Sequence, residues 1–408
     1  MRFARRKTKP YRSASPDQIN IGFLPTIDSA VLIAAKELGL FERRGLTVRL
    51  TREVGWATVR EKLLHEELDA AAAHASMLFT IYAGVGGVRR RCLTGLMLGL
   101  NGSAITLSNG LRELGVRDAR SFGEVVRSHQ GRKTFTLGMV LTHSTQNYYL
   151  RQWLTEAGLN PDKDVQTVVI PSNLVYETFK EGHLDGFCVA DPWNSLAVLE
   201  QTGWVVSTTA EMGHHPEKVL LVLNDFAEER EDEHLQLIAA LIEASIFCDQ
   251  PECRPELVRM LAQPRYFDVS PECLANALIG PFHCGREHRA HPDFVRFDAR
   301  THGNPDRNSG KWVLDMVRSL SDSEPLAGLK PDGITRVFRE DIFQRALRRY
   351  NANVSGNIPD PDQPRVTQAR EVSRSFRPST WGSMDFNRLA AVCGFAELNT
   401  FSGASASH

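Results

Sequence analysis

Twice in this chain a strand, a helix and a polar turn ending in Leu-Asp lead into another short apolar strand. The first turn is Glu67-Leu68-Asp69-Ala70 and the second is His183-Leu184-Asp185-Gly186. A strand–helix–strand unit buries its apolar faces only if the strands lie side by side with the helix across them. Two α/β units with largely parallel sheets are therefore expected. In the first unit the expected strands are Ile19–Phe23, Leu46–Leu50 and a third beginning at Leu68–Ala72, with helices over Asp28–Leu40 and Trp56–Leu64. A strand over Ala104–Leu107 follows. In the second unit the strands are Thr134–Val140 and Asp164–Ile170, with helices over Thr145–Ala157 and Ser172–Glu181. Tyr149, Leu150, Trp153 and Leu154 supply the apolar face of the Thr145–Ala157 helix, and Gly158 stops it.

The second Leu-Asp turn leads to the most informative stretch. Phe187–Ala190 reads as a strand, with Asp191 as helix N-cap, Pro192 at the first helical position and Trp193 behind it. A strand that ends in a helix N-terminus points free N–H groups into the space above the sheet, where open α/β folds hold small ligands and where the helix dipole favours an anion. The same residues also suit an ordinary turn with a core tryptophan.

At 408 residues the chain is long enough for two full cores, and 42% hydrophobic with 24% charged residues is the balance of a soluble globular protein. A formal net charge of −1 excludes a global basic field for nucleic acid, and no apolar run is long enough for membrane insertion. The seven cysteines are scattered without a CxxC pair, which suits a reducing compartment. Residues 1–18 are basic, but no apolar leader segment follows, so a cytoplasmic location is expected. The loose His283-Cys284, His288, His291 spacing does not make a metal site, and no cofactor is expected. Further helices are expected over Leu235–Cys248, Pro255–Leu261, Ser309–Leu320 and Ile342–Tyr350. Residues 355–408 read as a flexible tail with at most one short helix, Phe386–Cys393.

Several ordered segments together resemble the nitrate- and bicarbonate-binding proteins of ABC transporters. They include Gly55-Trp56-Ala57-Thr58-Val59-Arg60-Glu61-Lys62-Leu63, Leu100-Asn101-Gly102-Ser103-Ala104, Asn147-Tyr148-Tyr149-Leu150, His215-Pro216-Glu217-Lys218 and Gly303-Asn304-Pro305-Asp306-Arg307. The resemblance runs from about Ile19 to about Tyr350 and implies a two-lobe periplasmic-binding-protein-like (venus flytrap) α/β fold. Each lobe would be a mostly parallel sheet flanked by helices, with the ligand between them. The implied organisation is a basic tail over 1–17, one lobe from 18–105 with 217–350, the other over 106–216, and the tail over 355–408.

Without an apolar leader the chain looks most like the cytosolic nitrate sensors of this family. That resemblance implies a non-catalytic protein that binds nitrate or nitrite, or another small oxyanion, and regulates nitrate assimilation through an RNA-binding antiterminator partner. The alternatives are a substrate-binding component that docks on an ABC permease, and an enzyme resembling the thiamine-pyrimidine synthases. The family's pocket-closing tryptophan matches Trp56, and its lysine after Pro-Glu matches Lys218, which would supply the compensating charge. Ser103 stands where transporter-type members tend to carry glutamine, and Gln146 where many carry histidine. Both can still donate a hydrogen bond, but Gln146 removes a potential positive charge. Thr145 adds a hydroxyl, Pro192 and Trp193 shape the cleft wall, and Asp191 caps its helix.

Overall fold

The computed structural model describes residues 17–285, 288–289, 294–321 and 324–354. The expected tail over 355–408, its helix at Phe386–Cys393, and all but Asp17 of the basic N-terminal stretch lie outside the described residues. The described strands are β1 (Ile19–Phe23), β2 (Val48–Arg52), β3 (Ala70–His74), β4 (Cys92–Asn101), β5 (Ser103–Ser108), β6 (Thr136–Met139) and β7 (Gln166–Val169). They continue with β8 (Gly186–Ala190), β9 (Gly203–Thr208), β10 (Pro216–Leu223), β11 (Phe282–His283), β12 (His288–Arg289) and β13 (Val295–Arg296).

Two helix-flanked sheets result. One has the order β13-β4-β10-β3-β1-β2 and the other β7-β6-β8-β5-β9, while β11 and β12 pair separately. The expectation of largely parallel sheets holds only for the strand–helix–strand halves. There β1 pairs in parallel with β2 and β3, and β6 with β7 and β8. β10 runs antiparallel to β3 and β4, β13 to β4, and β5 to β8 and β9. The reason is connectivity. β5 and β10 each enter their sheet directly from the other sheet, without the crossover helix that a parallel neighbour requires.

The passage from β4 to β5 is a turn of two residues with positive φ, Asn101 (62°) and Gly102 (86°). Glycine at 102 takes this backbone without a Cβ penalty. The passage from β9 to β10 runs through a 3-10 turn, Thr209–Met212.

Several expected boundaries shift: β2 runs over Val48–Arg52 rather than Leu46–Leu50, β6 and β7 are shorter than expected, and three further shifts have a local reason. β3 begins at Ala70 rather than Leu68, because the Asp69 carboxylate accepts from the Asn20 N–H at 2.6 Å and closes the turn before the strand starts. Residues 27–29 form a 3-10 turn ahead of the Ala30–Glu37 helix, where the Asp28 side chain is engaged by Thr26 and Lys218. The helix after β8 starts at Trp193, so Pro192 precedes it, while Asp191 still accepts from the Ser195 N–H at 2.9 Å.

Trp56, Val59 and Leu63 occupy one face of the Trp56–Leu64 helix at helical spacing. They join an apolar cluster that continues through Val140 to Val175, Phe187 and Trp193 on the side of the second sheet. The long Glu231–Asp249 helix packs against the Ala30–Glu37 and Glu340–Val354 helices. No helix among the described residues is long and apolar enough to cross a membrane. The six described cysteines are buried and form no disulfide with one another.

Candidate anion site between the sheets

Glu217 and Lys218 are adjacent in β10, and regular alternation would send their side chains to opposite faces. The register of β10 against β4 is irregular between Pro216 and Lys218 and again between Lys218 and Val219. Such irregularities re-aim side chains. Here the two meet: Lys218 Nζ lies 3.0 Å from Glu217 Oε1 and 2.6 Å from Asp28 Oδ2. All three side chains are almost wholly buried.

The second sheet contributes the other half of the shell. Ser144 caps the Thr145–Glu156 helix, its hydroxyl accepting from the Asn147 N–H at 3.1 Å. That leaves the first-turn side chains free to reach across. The Thr145 hydroxyl donates to Glu217 Oε2. Gln146 Nε2 donates to Ser103 Oγ at 3.0 Å and to Glu217 Oε1 at 3.3 Å. Two histidines complete the surround. His74, at the end of β3 and in register with Lys218, places Nδ1 3.2 Å from Glu217 Oε1 but off the line of a hydrogen bond. His215 Nε2 lies 3.7 Å from Glu217 Oε2, and its ring packs on Trp312 with centroids 5.4 Å apart.

Trp56 forms the wall. Its ring meets His74 edge-on at 4.4 Å and sits 5.3 Å from Lys218 Nζ. The buried indole N–H of Trp56 has no hydrogen-bond partner, and neither does Gln146 Oε1. A buried unpartnered polar atom costs about 1–3 kcal/mol, so these groups suit a ligand that pairs with them.

Electrostatics follow from burial and neighbours. Burial by itself would raise the Glu217 pKa, but the Lys218 ammonium and the His215 and His74 rings outweigh it and hold the carboxyl well below its usual range. Burial would lower Lys218, and Asp28 and Glu217 outweigh that in turn and raise it. Burial and the nearby Lys218 charge lower His74, which keeps it neutral. The centre thus holds two carboxylates and one ammonium.

Trp56, Ser103, Thr145, Gln146 and Lys218 are brought together in this way. Pro192 and Trp193 are not part of the polar shell. Both are buried, and Trp193 joins the apolar cluster that contains Trp56. Four acidic or imidazole groups escaped the sequence reading of the site: Glu217, His74, His215 and Asp28. Glu217 and His215 stood beside Lys218 in the matched motif, but no role was read for either. His283 pairs in register with His288, and His291 lies outside the described residues. No group of three histidines, cysteines or acids among the described residues could hold a metal ion.

Residues 12–262 match the NMT1-like family. The nitrate import ATP-binding protein NrtC of Synechocystis sp. (strain PCC 6803) is 32% identical over 336 residues, covering 81% of this chain and 50% of that protein. The chain therefore spans about half the length of this curated relative. The bicarbonate-binding protein CmpA of Synechococcus sp. (strain PCC 6301) is 27% identical over 351 residues, covering 81% of this chain and 78% of that protein. Among solved structures, the periplasmic nitrate-binding protein NrtA from Synechocystis PCC 6803 superposes with a TM-score of 0.75 at 24% identity, covering 86% of this chain and 92% of that one. The fold is thus a mixed α/β fold of the periplasmic-binding-protein type.

Proposed function

The chain belongs to the NMT1-like family, and we propose that it is a non-catalytic binding protein for a small planar oxyanion of the nitrate and hydrogencarbonate class. The observation that carries this reading is the convergence of Thr145, Gln146, Lys218 and the Trp56 wall, drawn from both sheets, on one buried carboxylate, Glu217. Donors that hold a carboxylate can hold another trigonal oxyanion. Ligand bound there would bridge the two sheets and favour the closed arrangement. Moving that equilibrium decisively takes a preference of about 5.5 kcal/mol for one state.

Glu217 also discriminates within the class. An ionised carboxylate only accepts hydrogen bonds, and nitrate and nitrite have no proton to give it. Hydrogencarbonate carries a hydroxyl that can donate to Glu217 or to the unpartnered Gln146 Oε1 while another of its oxygens accepts from the unpartnered Trp56 N–H. Hydrogencarbonate is accordingly the preferred ligand of this site, ahead of nitrate and nitrite.

Isothermal titration of the folded protein with hydrogencarbonate, nitrate and nitrite tests both levels. No binding of any of the three at millimolar concentration sinks the oxyanion reading. Nitrate binding tighter than hydrogencarbonate sinks the discrimination by Glu217 alone.

The transport relatives favour a role as the ligand-capturing part of an ABC importer, docking on a permease. The sensor reading uses the same site and differs in what reads its closure: a cytoplasmic RNA-binding antiterminator instead of a permease. Cell fractionation combined with ligand-dependent co-purification separates them. Retention of an antiterminator in a cytoplasmic fraction would replace the transport role.

A further inference from the structure

We propose that Asp28 is a specificity-determining positioning residue, which occupies Lys218 and so keeps that ammonium from serving as the counter-charge of a bare monoanion. The inference rests on the oxyanion reading above and concerns how the same site chooses among ligands. The family resemblance assigns Lys218 to the ligand. In the structure its shortest contact is to Asp28 Oδ2, at 2.6 Å, ahead of Glu217 Oε1 at 3.0 Å. Of its three donors one is spent on Glu217, and the Asp28 contact is an ion pair off the line of a hydrogen bond.

Asp28 is itself held in place. The Thr26 hydroxyl donates to its other oxygen at 2.6 Å, and the Ser29 hydroxyl donates to the Leu24 carbonyl at 2.8 Å. The Ile27 N–H donates to the carbonyl of Asp191 at 2.9 Å, which ties this turn to the strand end of the second sheet. Lys218, Asp28 and Glu217 are too deeply buried for solvent to screen their charges. An incoming nitrate therefore meets two negative groups for each positive one. A ligand with a hydroxyl offsets part of that cost by donating to Glu217, and nitrate cannot. Asp28 repels either monoanion, but by holding the Lys218 charge it weakens the one counter-charge on which nitrate, with no hydroxyl for Glu217, depends more.

Asp28→Asn removes the charge, keeps the shape, and leaves an oxygen to accept from Thr26. A purely structural role would weaken every ligand together. Selection by charge changes their ratio instead. The test is calorimetry on the full chain with sodium nitrate and sodium hydrogencarbonate, with circular dichroism as the control for folding. In Asp28→Asn nitrate is expected to bind about tenfold tighter than in the wild type, with hydrogencarbonate changed by less than about threefold. Asp28→Glu retains the charge and is expected to retain the wild-type preference. An unchanged nitrate-to-hydrogencarbonate ratio in folded Asp28→Asn overturns the proposal, as does an equal shift in Asp28→Glu. Should Asp28→Asn not fold, Thr26→Val loosens the same carboxylate. It is expected to shift the ratio in the same direction by a smaller factor, and no shift overturns the proposal. Wild-type protein that binds neither anion removes the oxyanion reading together with this one.

Discussion

Replacing Lys218 with methionine tests the buried charge cluster most directly. Lys218 is wholly buried and faces carboxylate oxygens at 2.6 and 3.0 Å. At an effective dielectric constant near 20, each contact carries about 6 kcal/mol of gross Coulomb attraction. The desolvation of three ions offsets most of that gain, so the net cost of removing one partner is about 3–5 kcal/mol. Methionine fills the volume, and the loss is therefore electrostatic. The pH dependence supplies a sign. In the wild type the depressed Glu217 pKa contributes stability that is present above the ordinary carboxylate range and is lost as pH falls from there through the lower folded-state value. Without Lys218, burial dominates and raises the folded-state pKa of Glu217. The raised group then costs stability at high pH and costs none once protonated. The deficit of Lys218→Met should accordingly be largest near about pH 8 and shrink toward about pH 5. Guanidinium unfolding followed by tryptophan fluorescence and far-UV circular dichroism measures it. A deficit below about 1 kcal/mol, the range of an exposed pair, or one indifferent to pH, would refute the buried cluster. The double variant Asp28→Asn with Lys218→Met removes one stranded carboxylate and should recover part of the loss.

Two further outcomes follow from other parts of the fold. Asp191 is buried among neutral donors, Ser195 and Asn194, and burial raises its pKa from 3.8 to about 6. Its ionised form then costs up to about 3 kcal/mol above the folded-state pKa. Asp191→Asn, whose side-chain oxygen can still accept from the Ser195 N–H, should stabilise the protein near about pH 8, with the gain vanishing as pH falls toward the unfolded value. Equal stability of the two proteins across that range in denaturant titrations would contradict it. Gly186→Ala would put a Cβ 2.7 Å from both the Thr106 carbonyl oxygen and Leu107 Cδ2 in the second sheet. A loss of about 1–3 kcal/mol is expected in thermal or denaturant unfolding, and a neutral substitution would show that β5 and β8 can separate cheaply.

By itself, the amino-acid sequence determined the types and order of the strand–helix–strand elements, but β4, β9 and β10 were not read from it. The apolar periodicity of Trp56, Val59 and Leu63 is helical wherever the helix packs, and the Trp56–Leu64 helix falls where the pattern puts it. Leu-Asp turns mark the entries to β3 and β8 because their carboxylates close local backbone turns: Asp69 bonds the Asn20 N–H and Asp185 the Thr136 N–H. Family motifs also pointed to Trp56, Gln146, Ser103 and Lys218, and the helix start to Thr145, all of which meet around one centre. Only the tertiary structure decided what that centre is. Strand alternation places Glu217 and Lys218 on opposite faces, and the irregular register of β10 against β4 overrides it. Asp28 lies 190 residues from Lys218 in the chain yet holds its charge at 2.6 Å. Local pattern reports the period of burial. It carries no information on which charges a mixed sheet, fed from two directions, brings into contact.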